Sequence, residues 1–206
     1  MSGEKQTRAV VFSDIAGSSR LFETLGDTAA QELVDHVLRR LGEVTRAQGG
    51  VVIKTIGDEV MCVFPCADNA VLAAIAMHEA VRDPEGVWKC RISLRIGIHY
   101  GELLEADGDV FGDAVNLAAR MVRVSQASEI ITTRESVENL SGELQSRARF
   151  LNNMTVHGRS QPVDIYDIVW GEDGDGGEDD GMTQYDISAT MMHAYSPGTC
   201  RHSNWC

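Results

Sequence analysis

The sequence has few basic residues and no long apolar run. Lysine and arginine together number 18, against 31 aspartate and glutamate residues, which gives a formal net charge of −13. Nonspecific binding to nucleic acid needs a basic surface, so this balance argues against that class of function. No apolar run approaches the roughly 18 residues that a membrane-spanning helix requires. We therefore expect neither a nucleic-acid partner nor a membrane span.

Paired cysteines are also missing, and we expect no secretory leader. The five cysteines show no CxxC spacing, and residues 1–8 are polar and lack the apolar segment of a signal peptide. We therefore expect a reduced, intracellular protein with a cytoplasmic location.

The length and composition indicate one domain followed by a tail. A chain of 206 residues with 43% hydrophobic and 24% charged residues can form one well-cored globular domain. After Trp170 the composition changes, because residues 171–181 contain six carboxylates, five glycines and no cation. Such a segment cannot form a core. We predict a domain at 1–170, an acidic glycine-rich linker at 171–181 and a flexible tail at 182–206. Further domains could follow the linker in a longer parent chain.

Residues 51–65 combine two β-rich runs with a Gly57-Asp58 corner, which predicts a β-hairpin. The hairpin carries the Asp58 carboxylate at its tip and Lys54 four residues earlier. A carboxylate held at a hairpin tip suits a hard cation such as Mg²⁺. Taken alone, Asp58 fits an ordinary solvated turn better than a metal site.

The remaining patterns predict an α+β fold. Before the hairpin, residues 9–14 form an apolar strand and residues 28–47 a long amphipathic helix. A second helix and a strand at 92–100 follow it. This βαββαβ order predicts a ferredoxin-like core, an antiparallel sheet with helices on one face and the other face open.

A small C-terminal α/β annex is predicted to follow the core. It consists of a helix at 113–124, a strand at 129–133, a short helix at 134–140 and a closing hairpin at 156–159 and 163–170. Asn116 and Arg120 lie four residues apart on the first of these helices and so share one face of it.

Four short motifs occur in a set order along the chain. They are Phe12-Ser-Asp-Ile-Ala-Gly-Ser-Ser19, Lys54-Thr-Ile-Gly-Asp58, Leu94-Arg-Ile-Gly-Ile-His99 and Asp109-Val-Phe-Gly-Asp-Ala-Val-Asn-Leu-Ala-Ala-Arg120. Any one of them would be weak evidence, but the ordered set resembles the class III nucleotidyl cyclases. That family converts a nucleoside triphosphate to its 3′,5′-cyclic monophosphate. The resemblance runs from about residue 8 to residue 170.

The resemblance implies a role for two divalent cations, Mg²⁺ or Mn²⁺. Asp14 and Asp58 match the aspartates that hold these metals, and the main-chain carbonyl of Ile15 matches a further ligand. The implied reaction is in-line attack of the ribose 3′-hydroxyl on the α-phosphate, with pyrophosphate as the leaving group.

The resemblance also implies residues that bind the nucleotide. Lys54 and Asp109 match the pair that reads the purine, and a lysine donor with a carboxylate acceptor favours adenine, hence ATP, over guanine. Asp107 is the alternative to Asp109, although the fixed distance to Gly112 favours Asp109.

Other matched residues contact the sugar and the phosphates. Asn116 matches the residue that orients the ribose, and Arg120 the one that stabilises charge on the reacting phosphate. Arg95 matches a phosphate contact on the metal-bearing side. The family commonly has a lysine for the terminal phosphates in the closing hairpin, where this chain has His157, so Arg159 is the candidate substitute.

The family's sites lie between two domains, and this chain holds both sets of residues once, which implies a homodimer with two equivalent sites. Two alternatives stay open. A catalytically silent, dimerising regulatory module would keep the fold without the activity. A diguanylate cyclase is suggested by residues 56–60, which faintly resemble that family's turn but lack its first glycine and final aromatic residue.

Overall fold

The computed structural model describes residues 4–82, 90–155 and 162–171. Within these ranges one eight-stranded sheet carries helices on both faces. The strands are β1 Glu4–Ile15, β2 Val51–Ile56, β3 Glu59–Phe64, β4 Leu94–Ala106, β5 Asp109–Phe111, β6 Ile130–Thr133, β7 Ala148–Met154 and β8 Val163–Ile168. The helices are α1 Ser18–Leu25, α2 Asp27–Ala47, α3 Ala67–Val81, α4 Asp113–Val124, α5 Arg134–Val137 and α6 Gly142–Gln145.

The first half of the chain forms the predicted ferredoxin-like core. The sheet order is β2-β3-β1-β4-β6-β8-β7, with β5 paired to β4. The pairs β1–β3, β1–β4 and β2–β3 are all antiparallel, as a βαββαβ core requires. The annex extends the same sheet, since β6 joins β4 in parallel and β8 and β7 follow in antiparallel pairs. The prediction of an α+β fold with a C-terminal annex is confirmed.

Strand β1 is apolar on both sides because both sides of it are covered. Ala9, Val11 and Ile15 pack into a cluster with α2 and α3, whereas Val10 and Phe12 pack into a second cluster on the opposite side. Successive side chains of a strand point to opposite faces, so this continuous apolar run is that of an inner strand.

Helix α4 covers the face of the sheet that we expected to be open. The core helices α1, α2 and α3 lie on one face, as predicted, but Ala114, Ala118 and Val122 of α4 pack against β1 and β3 from the other side. We call this side the α4 face. The expectation of an open second face was therefore wrong where α4 lies, because the apolar stripe of α4 needs a surface to cover.

Gly97 of β4 lets α4 approach the sheet closely. A Cβ atom added at Gly97 would lie 2.1 Å from the backbone nitrogen of Val122 and 2.6 Å from the carbonyl oxygen of Ala118. The helix backbone thus rests directly on the strand backbone, where any side chain would push it away.

Two segments differ from the sequence-based expectations. Strand β4 continues to Ala106 and turns sharply through Asp107, which has a positive φ of 53°, and Gly108. The first strand of the closing hairpin is β7 at Ala148–Met154, upstream of the predicted stretch at 156–159, which lies outside the described residues.

Trp170 attaches the end of the annex to α3. Its indole Nε1 donates to the carbonyl of Ser128 at 2.8 Å. Its ring stacks on His78 with centroids 4.2 Å apart, and the Arg82 guanidinium lies 5.0 Å from the Trp170 ring. Burial lowers the pKa of His78 to about 3, so this histidine is neutral.

The domain limit at residue 170 stays a prediction. The predicted tail and all of the predicted linker except Gly171 lie outside the described residues.

None of the helices in the described ranges has the length and apolar character needed to cross a membrane.

The contact at Gly97 predicts a large loss of stability on adding one methyl group. We expect Gly97→Ala to lower the free energy of unfolding by about 3 kcal/mol, because the clash is with backbone that cannot rotate away. Gly142→Ala is the matched control, since a Cβ there meets nothing within 4 Å, and it should change stability by less than about 0.5 kcal/mol. Urea unfolding measures both, and equal stabilities would contradict the packing described.

Candidate active site

Two aspartates stand at adjacent strand ends on the α4 face. Asp14 is the penultimate residue of β1 and, by alternation, lies on the same side as Phe12. Asp58 occupies the turn between β2 and β3, next to Gly57, whose φ of 64° needs a residue without a side chain. Cross-strand pairing of Asp14 with Glu59 brings the turn beside the end of β1. The predicted hairpin is confirmed.

Arg95 is the cation that contacts Asp14. The two residues are paired across β1 and β4, and Nη2 of Arg95 donates to Oδ2 of Asp14. Only 14% of the Asp14 side chain is exposed. Burial raises the pKa of Asp14, the nearby charge of Asp58 raises it further, and the charge of Arg95 acts in the opposite direction.

Glu59 is a third carboxylate at this place, and the sequence analysis missed it. Burial raises its pKa, as does the charge of Asp14, while Arg123 of α4 and Arg95 lower it. The hairpin register could have identified Glu59, because the residue after a two-residue turn pairs with the neighbouring strand. The cluster therefore holds three carboxylates and, in contact with them, one ion-paired arginine.

The two aspartates fit a hard divalent cation. In the described part of the chain no group of three or more His, Cys, Asp or Glu side chains is arranged as a ready metal site. Mg²⁺, however, is usually bound by one or two carboxylates together with substrate phosphates. Burial and the charge of Asp58 raise the pKa of Asp14, so a cation bound between the two carboxylates would remove their repulsion. Ile15 follows Asp14 directly at the strand end.

Lys54 and Asp109, the predicted purine-reading pair, are in direct contact. Nζ of Lys54 donates to Oδ1 of Asp109 at 2.8 Å and to Oδ2 at 2.6 Å. The side chains are 40% and 33% exposed, so both can reach a ligand. The hydrogen bond from Lys54, followed by one from the Val110 backbone N–H, lowers the pKa of Asp109. Asp109 therefore stays ionised and accepts hydrogen bonds at neutral pH. Asp107, the alternative to Asp109, lies in the preceding turn.

A β-bulge puts Lys54 on the side of the sheet where Asp109 lies. Val52 pairs with Cys62 and Lys54 pairs with Met61, so Ile53 is an extra residue in β2. Met61 belongs to the cluster on the α4 face, as does Val110 beside Asp109. Because cross-strand partners share a face, the bulge turns Lys54 to this side. The sequence analysis did not foresee the bulge.

Asn116 and Arg120 lie one turn apart on α4 and point away from the sheet. The neighbouring residues Leu117, Ala118 and Met121 are fully buried against the sheet, whereas Asn116 is exposed and Arg120 partly exposed. Among the residues that the structure describes, neither side chain has a hydrogen-bond partner. Both groups are therefore available to a ligand that approaches the outer side of α4.

The predicted residues thus form three groups within one chain. Asp14, Asp58 and Arg95 form the acidic group, Lys54 and Asp109 the ion pair, and Asn116 and Arg120 the outward pair on α4. Arg159 and its alternative His157 lie outside the described residues.

Comparison with known proteins identifies the family. A model of the adenylate and guanylate cyclase catalytic domain matches residues 2–169. The chain belongs to this family. Class III cyclases in general use divalent metals, and their catalytic domains generally dimerise and bind a nucleotide. The diguanylate cyclase alternative is therefore dropped.

Individual cyclases support the assignment. An adenylate cyclase from Streptomyces coelicolor is 31% identical over 132 residues, which cover 64% of this chain and 34% of the relative. The adenylyl cyclase CyaB from P. aeruginosa superposes with a TM-score of 0.74 at 27% identity, covering 84% of this chain and 98% of that one. The adenylate/guanylate cyclase/hydrolase from Silicibacter pomeroyi gives a TM-score of 0.69 at 29% identity, covering 82% and 99%. The chain spans about a third of the length of the curated relatives it matches.

The acidic group predicts that the charge of Asp58, in addition to burial, raises the pKa of Asp14. Asp58→Asn removes one negative charge, so the pKa of Asp14 should fall in the metal-free protein. A raised pKa in the folded state means that stability is lost as the pH rises through that pKa. The variant should therefore lose less stability than the wild type between pH 4 and pH 8.

Carboxyl-carbon NMR titration measures the pKa of Asp14, and urea unfolding at both pH values measures the stability. Asp35→Asn is the control, because Asp35 lies on the exposed side of α2 and contacts Gln31. An unchanged Asp14 pKa in Asp58→Asn would show that the two carboxylates do not interact.

Proposed function

We propose that this cyclase domain converts ATP to 3′,5′-cyclic AMP and pyrophosphate. The observation that carries the choice of ATP is the contact between Lys54 and Asp109. The reaction class follows from the family, while the base is inferred from the chemistry of this pair.

The pair retains the hydrogen-bonding capacity that adenine needs. A lysine ammonium has three donors, and two of them point to Asp109, so one is left for the N1 acceptor of adenine. Oδ1 of Asp109 also accepts from the Val110 backbone N–H, whereas Oδ2 can still accept from the 6-amino group. Guanine presents a donor at N1 and an acceptor at O6. The lysine donor would therefore face a donor, and the carboxylate acceptor would face an acceptor.

The acidic group is the proposed place of the phosphates and the divalent cations. Asp14 and Asp58, with the Ile15 carbonyl, would hold two cations, Mg²⁺ or Mn²⁺. When bound, such ions neutralise phosphate charge and make the ribose 3′-hydroxyl more acidic. Asn116 would orient the ribose, and Arg120 would stabilise the negative charge that develops on the α-phosphate. Arg95 would contact the phosphates, and Arg159 is the proposed contact for the terminal ones.

A homodimer with shared sites is the arrangement we propose for these groups. Asn116 and Arg120 project from the outer side of α4, away from the sheet on which their own Asp14 lies, so a second copy is the natural source of the opposing carboxylates. Exposed apolar side chains near the ion pair, Ile56 on β2 and Phe111 on β5, are 54% and 49% exposed and suit a protein interface. A two-fold axis would then create two equivalent sites.

A catalytically silent module is the alternative, and the described residues give no support to it. Loss of a metal-binding aspartate or of the Asn–Arg pair would favour a module without catalytic activity. All four residues are present, namely Asp14, Asp58, Asn116 and Arg120.

The base assignment predicts a preference that the ion pair controls. With Mn²⁺, the wild type should use ATP at least about tenfold better than GTP, measured as kcat/KM. Changing Lys54 to Glu and Asp109 to Cys rearranges donor and acceptor, so this ratio should fall about tenfold or more. The control makes the corresponding changes in a remote ion pair of the annex, Arg134→Glu with Asp164→Cys, and should keep the wild-type ratio. An unchanged ratio in the first variant counts against the purine pocket.

The shared sites predict that two inactive variants restore each other's activity. Asp58→Ala and Asn116→Ala should each be inactive alone, because each homodimer carries the lesion in both sites. In a mixed dimer one site receives both lesions and the other receives neither. Random mixing makes half of the dimers mixed, so activity should return to roughly a quarter of the wild-type value under two-fold symmetry.

Co-expression of the two variants, with cyclic AMP as the readout, performs this test. Co-expression of Asp14→Ala with Asp58→Ala is the control, because both lesions then lie on the same side of the site and no dimer has an intact one. If the first mixture stays inactive although subunit exchange is shown, the shared-site dimer is wrong.

A further inference from the structure

In the structure a protein cation already occupies the proposed metal-binding carboxylate. Arg95 lies opposite Asp14 on the neighbouring strand, and its Nη2 donates to Oδ2 of Asp14. The same carboxylate would have to face a divalent cation. A guanidinium and a metal ion cannot both occupy this position, so the two compete for Asp14.

In this contact one hydrogen-bond donor of the Arg95 side chain is left without an acceptor among the described residues. Its Nε atom is buried and, among the described residues, has no hydrogen-bond partner. Buried donors in native proteins are nearly always satisfied, so an orphaned one calls for a physical explanation. A second position of the side chain, in which Nε also finds an acceptor, provides that explanation.

We propose that Arg95 is the resident counter-ion of Asp14 in the metal-free chain, that a divalent cation displaces it, and that the released guanidinium turns to the triphosphate. This inference rests on the proposed metal role of Asp14 and Asp58. A phosphate offers several acceptor oxygens and can take two parallel hydrogen bonds from one guanidinium. Nε, which is orphaned in the pair with Asp14, would gain a partner there.

The exchange makes cation and nucleotide depend on each other. Metal alone must break the ion pair and leave Arg95 beside another cation, so it should bind weakly. Metal together with a triphosphate gives Arg95 a new anionic partner, so each of the two ligands strengthens the binding of the other. Glu59 and Asp58 keep the surroundings negative during the exchange, and the positive charge of Arg123 on α4 also acts on Glu59.

Binding of Mn²⁺ in the absence of nucleotide tests the competition. Free Mn²⁺ is measured by electron paramagnetic resonance at pH 8 for every variant. We expect Arg95→Gln to bind Mn²⁺ roughly tenfold or more tightly than the wild type, because the competing charge is gone. Arg95→Lys keeps a charge beside Asp14 and should stay closer to the wild type.

Two further variants make the result specific. Arg134→Gln removes one arginine from a comparable ion pair, Arg134 with Asp164, in the annex, and should leave Mn²⁺ affinity unchanged. Asp14→Asn should abolish the binding. If Asp14→Asn binds as well as the wild type, or if no variant binds, the proposed metal site itself is wrong. If the wild type and Arg95→Gln bind equally and Asp14→Asn does not, the metal site stands and the inference about Arg95 is overturned.

A spectroscopic measurement separates displacement from simple repulsion. The Nε–H signal of Arg95 in a ¹⁵N spectrum is identified as the one that disappears in Arg95→Lys. On saturation with Mg²⁺ this signal should move, because the guanidinium leaves its buried position. An unchanged signal at saturating Mg²⁺ would overturn the displacement, and this measurement does not require Arg95→Gln to fold.

Discussion

The backbone contact between α4 and Gly97 sets the distance between the helix and the sheet, and the groups of the site depend on that distance. Strand β4 carries Gly97 two residues after Arg95, which contacts Asp14, so one short stretch both supports α4 and supplies the cation of the acidic group. On its outer side α4 presents Asn116 and Arg120. A side chain at position 97 would lift the helix and move both residues relative to the carboxylates.

The charges on the α4 face are arranged as two separate units. At one place burial and the charge of Asp58 raise the pKa of Asp14, burial and the charge of Asp14 raise the pKa of Glu59, and nearby arginines oppose both shifts. At the other, Lys54 and Asp109 neutralise each other and lower the pKa of the aspartate. The first unit therefore attracts cations strongly, while the second is electrically neutral and acts through the direction of its hydrogen bonds.

The order of elements and the elements that carry the candidate residues could be predicted from the sequence. The predicted helix at 113–124 has the observed bounds of α4, and the Gly57-Asp58 corner identified the hairpin. The bulge at Ile53 could not be predicted, because an extra residue in a short apolar strand leaves no visible break in alternation. Strand β7 was missed because it is an edge strand with mostly exposed residues, which gives no apolar pattern. The packing of α4 against the second face of the sheet depends on tertiary contacts that local sequence does not encode.

Lys54 and Asp109 belong to short strands, β2 at the edge of the sheet and β5 off its main path, and both side chains are partly open to solvent. Substitutions at such positions usually change the stability of a fold very little. Under the proposed function, base preference is thus encoded at positions where a substitution changes stability little, while the residues proposed to contact ribose and phosphate stand on a tightly packed helix. A lineage built on this scaffold could exchange one purine for the other by altering two surface positions, with its core and its phosphate chemistry left intact.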